Sequence, residues 1–95
     1  KNVKEVIDYL NLVINGKYKT TTKTHIDNIS ARLNEGHSVD DLKIVITHKS
    51  NEWLNDKNMA QYLRPSTLFQ TSKFQGYLLA AKPQRSATAP RGFSQ

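Results

Sequence analysis

Apolar side chains recur three and four positions apart along much of this chain, and this spacing restricts its fold more than any other feature. One stripe precedes Asn15 and a second follows Ser38. The first contains Val3, Val6, Ile7, Leu10, Val13 and Ile14, and the second contains Val39, Leu42, Val45, Ile46 and Trp53. Residues with this period share one face of an α-helix, whereas a half-buried strand needs strict alternation. The chain is therefore predicted to form amphipathic helices.

Residues that end and start helices lie between these stripes. Asn15-Gly16 accepts the left-handed conformation that ends many helices, and Gly36 provides a second stop. A hydroxyl within Thr20–Thr24 is expected to cap a second helix, and Ser38 to cap a third. The apolar face of the second helix is predicted at Ile26, Ile29 and Leu33.

Pro65 divides the C-terminal part of the chain. A residue before proline is driven out of the helical region, yet proline itself suits the first turn of a new helix. We therefore predict an all-α fold in which three main helices form a compact bundle and short helical turns pack across them. The main helices are predicted near residues 3–15, 22–35 and 39–54, and the turns at 57–63, 65–70 and 73–80.

The last residues differ in composition from the rest of the chain. From residue 82 onward, Phe93 is the one large apolar side chain, so burial cannot offset the entropy of ordering this segment. We expect one helical domain over residues 1–81 and a disordered, flexible basic tail over residues 82–95.

The net charge of +6 is unevenly distributed. Residues 1–56 contain eight Lys or Arg and eight Asp or Glu, whereas residues 57–95 contain six Lys or Arg and no acidic residue. Unpaired like charges repel one another, and an anionic partner relieves that repulsion. The distribution predicts such a partner, with nucleic acid as the first candidate and an acidic protein segment as the second.

The candidate nucleic-acid contacts combine cations with one aromatic residue. In the segment from Lys17 to Lys23 the lysines can neutralise phosphates and Tyr18 can stack on an unpaired base, although a solvated loop with a half-buried Tyr18 is an equal alternative. Arg64 can either satisfy buried carbonyl groups or face a phosphate. No cluster suited to reading base edges is present, so weak, sequence-independent binding is predicted. The predicted contacts are Lys17, Tyr18, Lys19, Lys23, Arg64, Lys73, Lys82, Arg85 and Arg91.

The sequence offers little for catalysis or metal binding. It contains no cysteine, and its three histidines are too widely spaced for a His-x-x-x-His pair. The adjacent carboxylates of Asp40-Asp41 are more typical of a helix start than of a magnesium site. We expect no enzyme, no metal site and no cofactor. We also expect a cytoplasmic location, because no membrane span or secretory signal is evident in the sequence.

Several ordered motifs carry a family resemblance. They are Ala31-Arg32-Leu33-Asn34-Glu35-Gly36, then Trp53, then Leu63-Arg64-Pro65-Ser66-Thr67-Leu68-Phe69, and finally Lys73-Phe74-Gln75-Gly76-Tyr77-Leu78. Over about residues 3–79 the chain resembles the conserved phage C-terminal domain of replisome-organiser and replication-initiation proteins of phages and prophages, which are related in role to DnaD-type primosomal proteins. The motif residues expected to be structural are Trp53, Leu63, Pro65, Thr67, Leu68, Phe69, Phe74 and Tyr77.

This resemblance implies a helical, non-catalytic module that works in the cytoplasm of the bacterial host. Its leading predicted function is weak binding of DNA, either single-stranded or without sequence preference. The alternative is a protein-interaction module that recruits the host replicative helicase, a helicase loader or a single-strand-binding protein. The oligomeric state stays open.

Overall fold

The computed structural model describes residues 2–82. Within that range the chain contains α-helices and one 3-10 turn but no strand, which confirms the all-α prediction. The elements are α1 (Asn2–Ile14), α2 (Lys23–Asn34), α3 (Val39–Trp53), the 3-10 turn (Ala60–Tyr62), α4 (Pro65–Leu68) and α5 (Phe74–Ala81). None of these helices has both the length and the hydropathy required to cross a lipid bilayer. Most of the predicted tail, including Arg85 and Arg91, lies outside the described residues, so its boundary stays a prediction.

Helix α3 occupies the centre of the fold because it packs against α1, α5 and the 3-10 turn. Helix α2 packs against α1 and α4. The two predicted stripes supply much of the core, and Ile29 together with residues from Leu63 onward completes it. The buried apolar residues are Val6, Ile7, Leu10, Ile29, Leu42, Val45, Ile46, Leu63, Leu68, Phe69, Phe74 and Leu78.

The residues predicted to be structural differ in their burial. Leu63, Pro65, Leu68, Phe69 and Phe74 are buried, whereas Trp53, Thr67 and Tyr77 are half-buried. The rings of Trp53 and Tyr77 meet edge to face at 5.9 Å. The ammonium group of Lys49 lies 4.9 Å from the first ring and 4.6 Å from the second. These contacts join the last turn of α3 to α5.

The helix ends follow the predicted chemistry with one exception. Ser38 accepts from the N–H of Asp41 at 3.0 Å and the Asp41 carboxylate accepts from the N–H of Ser38 at 3.0 Å, which completes a capping box. Positive φ angles occur at Asn15 and Gly36 where α1 and α2 end. At the start of α2, however, Thr22 occupies the cap position without a side-chain hydrogen bond. The predicted hydroxyl cap of α2 is therefore wrong, although the helix begins within the predicted range.

Candidate nucleic-acid interface

The connection between α1 and α2 is held in place by Asn11. Its side-chain NH2 donates to the carbonyl of Tyr18 at 2.8 Å, and its side-chain oxygen accepts from the N–H of Tyr18 at 2.8 Å. The chain passes close to α1 at Gly16, where an added Cβ would lie 2.9 Å from the Ile14 side chain and 3.2 Å from the Asn11 oxygen. A single carboxamide thus fixes the segment that carries Lys17 and Lys19.

Tyr18 joins this segment to a distant part of the chain. Its hydroxyl donates to the carbonyl of Leu63 at 3.3 Å, and its ring meets the edge of His25 at 5.3 Å. Burial raises the pKa of the Tyr18 phenol, and the positive charge of Arg64 opposes that shift. Tyr18 is half-buried and makes these structural contacts, and its stacking on a base stays a prediction.

Arg64 is exposed on the surface and does not satisfy a buried carbonyl group. Its Nε donates to the hydroxyl of Thr67 at 3.1 Å, and its guanidinium carbon lies 5.3 Å from the centre of the Tyr62 ring. The arginine that fills the buried structural role is Arg32, whose guanidinium donates to the carbonyl of Phe69 at 3.0 Å. Arg64 therefore does not take the structural role that the sequence also allowed, and its contact with a phosphate stays a prediction.

The cations differ in whether a carboxylate partner is present. Within residues 2–82, those without an ion pair are Lys17, Lys19, Lys57, Arg64 and Lys73, whereas the other lysines and Arg32 each pair with an acidic side chain. Lys23 pairs with Asp27 at 2.8 Å, and that hydrogen bond raises the pKa of Lys23. The unpaired cations therefore include the two lysines that flank Tyr18, together with Arg64.

Lys17, Lys19, Tyr62 and Arg64 form what we call the basic surface. The two lysines are exposed on either side of Tyr18, and Arg64 follows the carbonyl group that the Tyr18 hydroxyl contacts. Lys23 begins α2 beside this surface but already has a carboxylate partner. The contact across 45 residues places Tyr18, which lies between the two lysines, against the residue that precedes Arg64.

Other predicted contacts lie elsewhere in the fold. Lys73 is two residues from Thr71, which accepts a hydrogen bond from Arg32 in the last turn of α2. The basic surface adjoins the other end of that helix, which rises about 14 Å between residues 23 and 32. Lys82 pairs with Asp41 at 2.9 Å at the start of α3. Lys73 and Lys82 are therefore not part of the basic surface.

The comparison with known families covers most of the chain. Residues 6–79 match the model of the family described as the conserved phage C-terminus. The chain belongs to this family. No curated protein and no solved structure matches it. The matched range includes the basic surface and every helix except the ends of α1 and α5.

This conserved phage C-terminus domain also has an open groove along α3, bordered by α1 and the end of α5, that was not predicted from the sequence. Its volume is about 500 Å³. Within it, the hydroxyls of Tyr9 and Thr47 lie 2.6 Å apart, and Lys43 lies 5.4 Å from the Tyr9 ring centre while pairing with Glu5. The groove is lined by Tyr9, Asp40, Lys43, Ile44, Thr47, His48, Asn51 and Ala81. Ile44 was the sequence feature that could have indicated the groove, because it is an apolar residue outside the predicted stripe of α3.

The described part of this family member contains no group of three or more His, Asp or Glu side chains arranged to hold a metal ion. His48 lies 3.3 Å from Glu52, and His37 lies 3.8 Å from both Glu35 and Asp41 while its ring packs against Phe74 at 4.8 Å. The cations and the Tyr62 ring of the basic surface can bind anions and flat aromatic groups.

Proposed function

We propose that this domain is a non-catalytic module of a phage replication-initiation or replisome-organiser protein and that it binds DNA weakly without reading its sequence. The observation that supports this most directly is the basic surface, in which Lys17, Lys19 and Arg64 gather without carboxylate partners. A cation with no ion pair can approach a phosphate without first leaving a carboxylate. Phosphate neutralisation is also the main source of sequence-independent affinity for DNA.

The start of α2 adds to the positive potential beside the basic surface. Thr22 does not cap the helix through its side chain, so its hydroxyl does not occupy the first-turn N–H groups. The N-terminus of a helix carries a partial positive charge and is a favourable environment for anions. Backbone and side-chain charges of the same sign therefore meet where α2 begins.

The number of cations sets the expected salt dependence. Each phosphate neutralised on a single strand contributes about −0.7 to the slope of log affinity against log salt, so three contacts on the basic surface give about −2. Arg85 and Arg91 would bring the slope towards about −3.5 if both also engage phosphates. Affinity at physiological salt is expected to be micromolar or weaker, because few charges take part.

Fluorescence anisotropy tests this proposal. Labelled single-stranded and duplex oligonucleotides are titrated with the full chain and with Arg85→Ala/Arg91→Ala over a series of salt concentrations. Salt-sensitive binding that both proteins retain would support the basic surface as the contact. Binding that disappears in the double variant would assign the contact to the C-terminal arginines. An absence of binding even at low salt would reject the proposal.

The groove favours a second candidate function, the recruitment of a replication protein. Ile44 and Tyr9 are half-buried side chains that line it beside polar groups, and protein interfaces likewise combine aromatic and apolar side chains with a polar rim. Binding of purified host helicase, helicase loader and single-strand-binding protein is compared by calorimetry for the full chain and for Ile44→Glu. Loss of one such complex with unchanged DNA binding would support recruitment through the groove, and an absence of all three complexes would reject it.

A further inference from the structure

A tight turn of the backbone brings Arg64 over Tyr62. The N–H of Arg64 donates to the carbonyl of Tyr62 at 2.9 Å, and Leu63 between them has φ −78° and ψ 73°. These values define an inverse γ-turn. The turn folds residues 62 and 64 towards each other, and the guanidinium carbon reaches 5.3 Å from the ring centre, within the range of a cation–π contact.

Three contacts hold this turn before any ligand arrives. The Leu63 side chain is 2% exposed and belongs to the core, and the Leu63 carbonyl accepts from the Tyr18 hydroxyl. The Nε of Arg64 donates to Thr67, which fixes the side chain itself. Because the guanidinium is already ordered, a ligand need not restrict it further, and less entropy is lost on binding.

Two parts of the Arg64 side chain remain available to a ligand, namely the flat surface of the guanidinium and its terminal nitrogens. The guanidinium carbon lies over the Tyr62 ring, and the residue as a whole is exposed. A guanidinium is flat and cationic, and the terminal nitrogens that Thr67 does not engage can donate to a phosphate. Bases of an unpaired strand stack on such guanidinium planes, whereas the bases of a duplex are covered by their neighbours.

We propose that Arg64, backed by Tyr62, is a stacking platform for an unpaired base, and that it makes the basic surface selective for single-stranded over duplex nucleic acid. This inference rests on the proposed function and adds its ligand class. Lys17 and Lys19 contact the phosphates on either form of nucleic acid. Arg64 contacts a base only when the base is unpaired.

The test compares a single strand, an abasic strand of equal length and a duplex, each titrated at low salt with the full chain. Stacking on one base is worth at least about a five-fold gain in affinity, so the single strand should bind at least about five-fold more tightly than the abasic strand. Arg64→Lys keeps the positive charge but removes the flat guanidinium group, so it should abolish the preference for the single strand over the abasic strand. Tyr62→Leu keeps Arg64 and removes its support, and it should weaken the preference. Lys4→Arg, on the outer side of α1, should leave the preference intact.

The outcomes separate the two proposals. If the full chain binds none of the three ligands, the proposed function itself fails. If it binds the single and abasic strands equally, or if Arg64→Lys retains the preference, the platform is rejected while DNA binding survives. Thermal unfolding followed by circular dichroism shows that each variant is folded at the temperature of the titration. If Tyr62→Leu is unfolded at that temperature, the result for Arg64→Lys alone decides whether the platform is accepted.

Discussion

The guanidinium of Arg32 donates a hydrogen bond to the carbonyl oxygen of Phe69, 37 residues along the chain. Arg32 is 3% exposed, and it also donates to Thr71 at 3.1 Å and to Glu35 at 2.7 Å. One buried side chain therefore ties the last turn of α2 to the segment between α4 and α5. Its Nε has no hydrogen-bond partner, so the guanidinium is only partly satisfied.

Replacing Arg32 by alanine should destabilise the domain substantially. The change leaves the Phe69 carbonyl without its donor and opens a cavity in the protein. The expected loss in the free energy of unfolding is about 3 kcal/mol. Urea unfolding followed by the fluorescence of Trp53 measures it. Glu35→Gln is the control, because the glutamine side-chain oxygen can still accept from Arg32, so its loss should be smaller than that of Arg32→Ala. Equal stability of the two variants would contradict the structural role of Arg32.

Two glycines should respond in opposite directions to alanine. Gly36 has φ +103°, a conformation that a side chain disfavours, so Gly36→Ala should lower the free energy of unfolding by about 1–2 kcal/mol. Gly76 lies within α5 with open space at its Cβ position, so Gly76→Ala should raise that free energy by about 0.5–1 kcal/mol. Melting temperatures of the two variants measure the contrast. A fall in both would mean that Gly76 is needed for another reason.

Asp41 should make stability depend on pH under acidic conditions. Burial disfavours ionisation of Asp41, but the N–H of Ser38, the ammonium of Lys82 and His37 outweigh it and hold the pKa of Asp41 below its usual 3.8. A carboxyl whose pKa is lower in the folded state binds fewer protons there than in the unfolded state. Its stabilising contribution is therefore present above pH 3.8 and disappears as the pH falls through the lower folded-state value.

Asp41→Asn should remove this part of the acid dependence. The variant should be less stable than the parent chain near neutral pH, and the difference should shrink as the pH falls below 3.8. Unfolding free energies measured in urea over that range test it. Asp40→Asn is the matched control, because Asp40 is also in the first turn of α3 but takes no part in the capping box. A constant difference at every pH would contradict the assignment.

The two lysines that flank Tyr18 should control the salt dependence of DNA binding. Lys17→Ala/Lys19→Ala removes two phosphate contacts, so the slope of log affinity against log salt should become shallower by about 1.4 for a single strand. The loss should be similar for oligonucleotides of different sequence, because phosphate contacts carry no sequence information. Anisotropy titrations measure both quantities. Lys4→Ala removes one positive charge from a side chain that is already paired with Asp8, so it should change the slope little.

The sequence predicted those parts of the fold that depend on local chemistry. The stripes of α1 and α3, the cap at Ser38 and the break at Pro65 are each recognisable within a few residues, and all appear in the structure. Arg32 was missed because a charged side chain is normally assigned to solvent. Its spacing of three residues from the buried Ile29 was the signal that could have identified it.

The candidate surface was less accessible to sequence reasoning. Lys17, Lys19 and Arg64 were chosen as separate basic positions, and a hydrogen bond between Tyr18 and Leu63 decides that they lie together. A contact across 45 residues has no local pattern. The ion pairs of Lys23 and Lys82 likewise depend on which carboxylates the fold brings near, so only the structure separates paired from unpaired cations.

The double hydrogen bond between Asn11 and Tyr18 has a consequence for hydrogen exchange. The amide proton of Tyr18 belongs to a segment without helix or strand, where exchange with solvent is normally fast. Because its acceptor is a side chain of α1, this proton becomes available only when Tyr18 separates from that helix. Slow exchange of this proton would therefore show that the connection between α1 and α2 stays packed against α1.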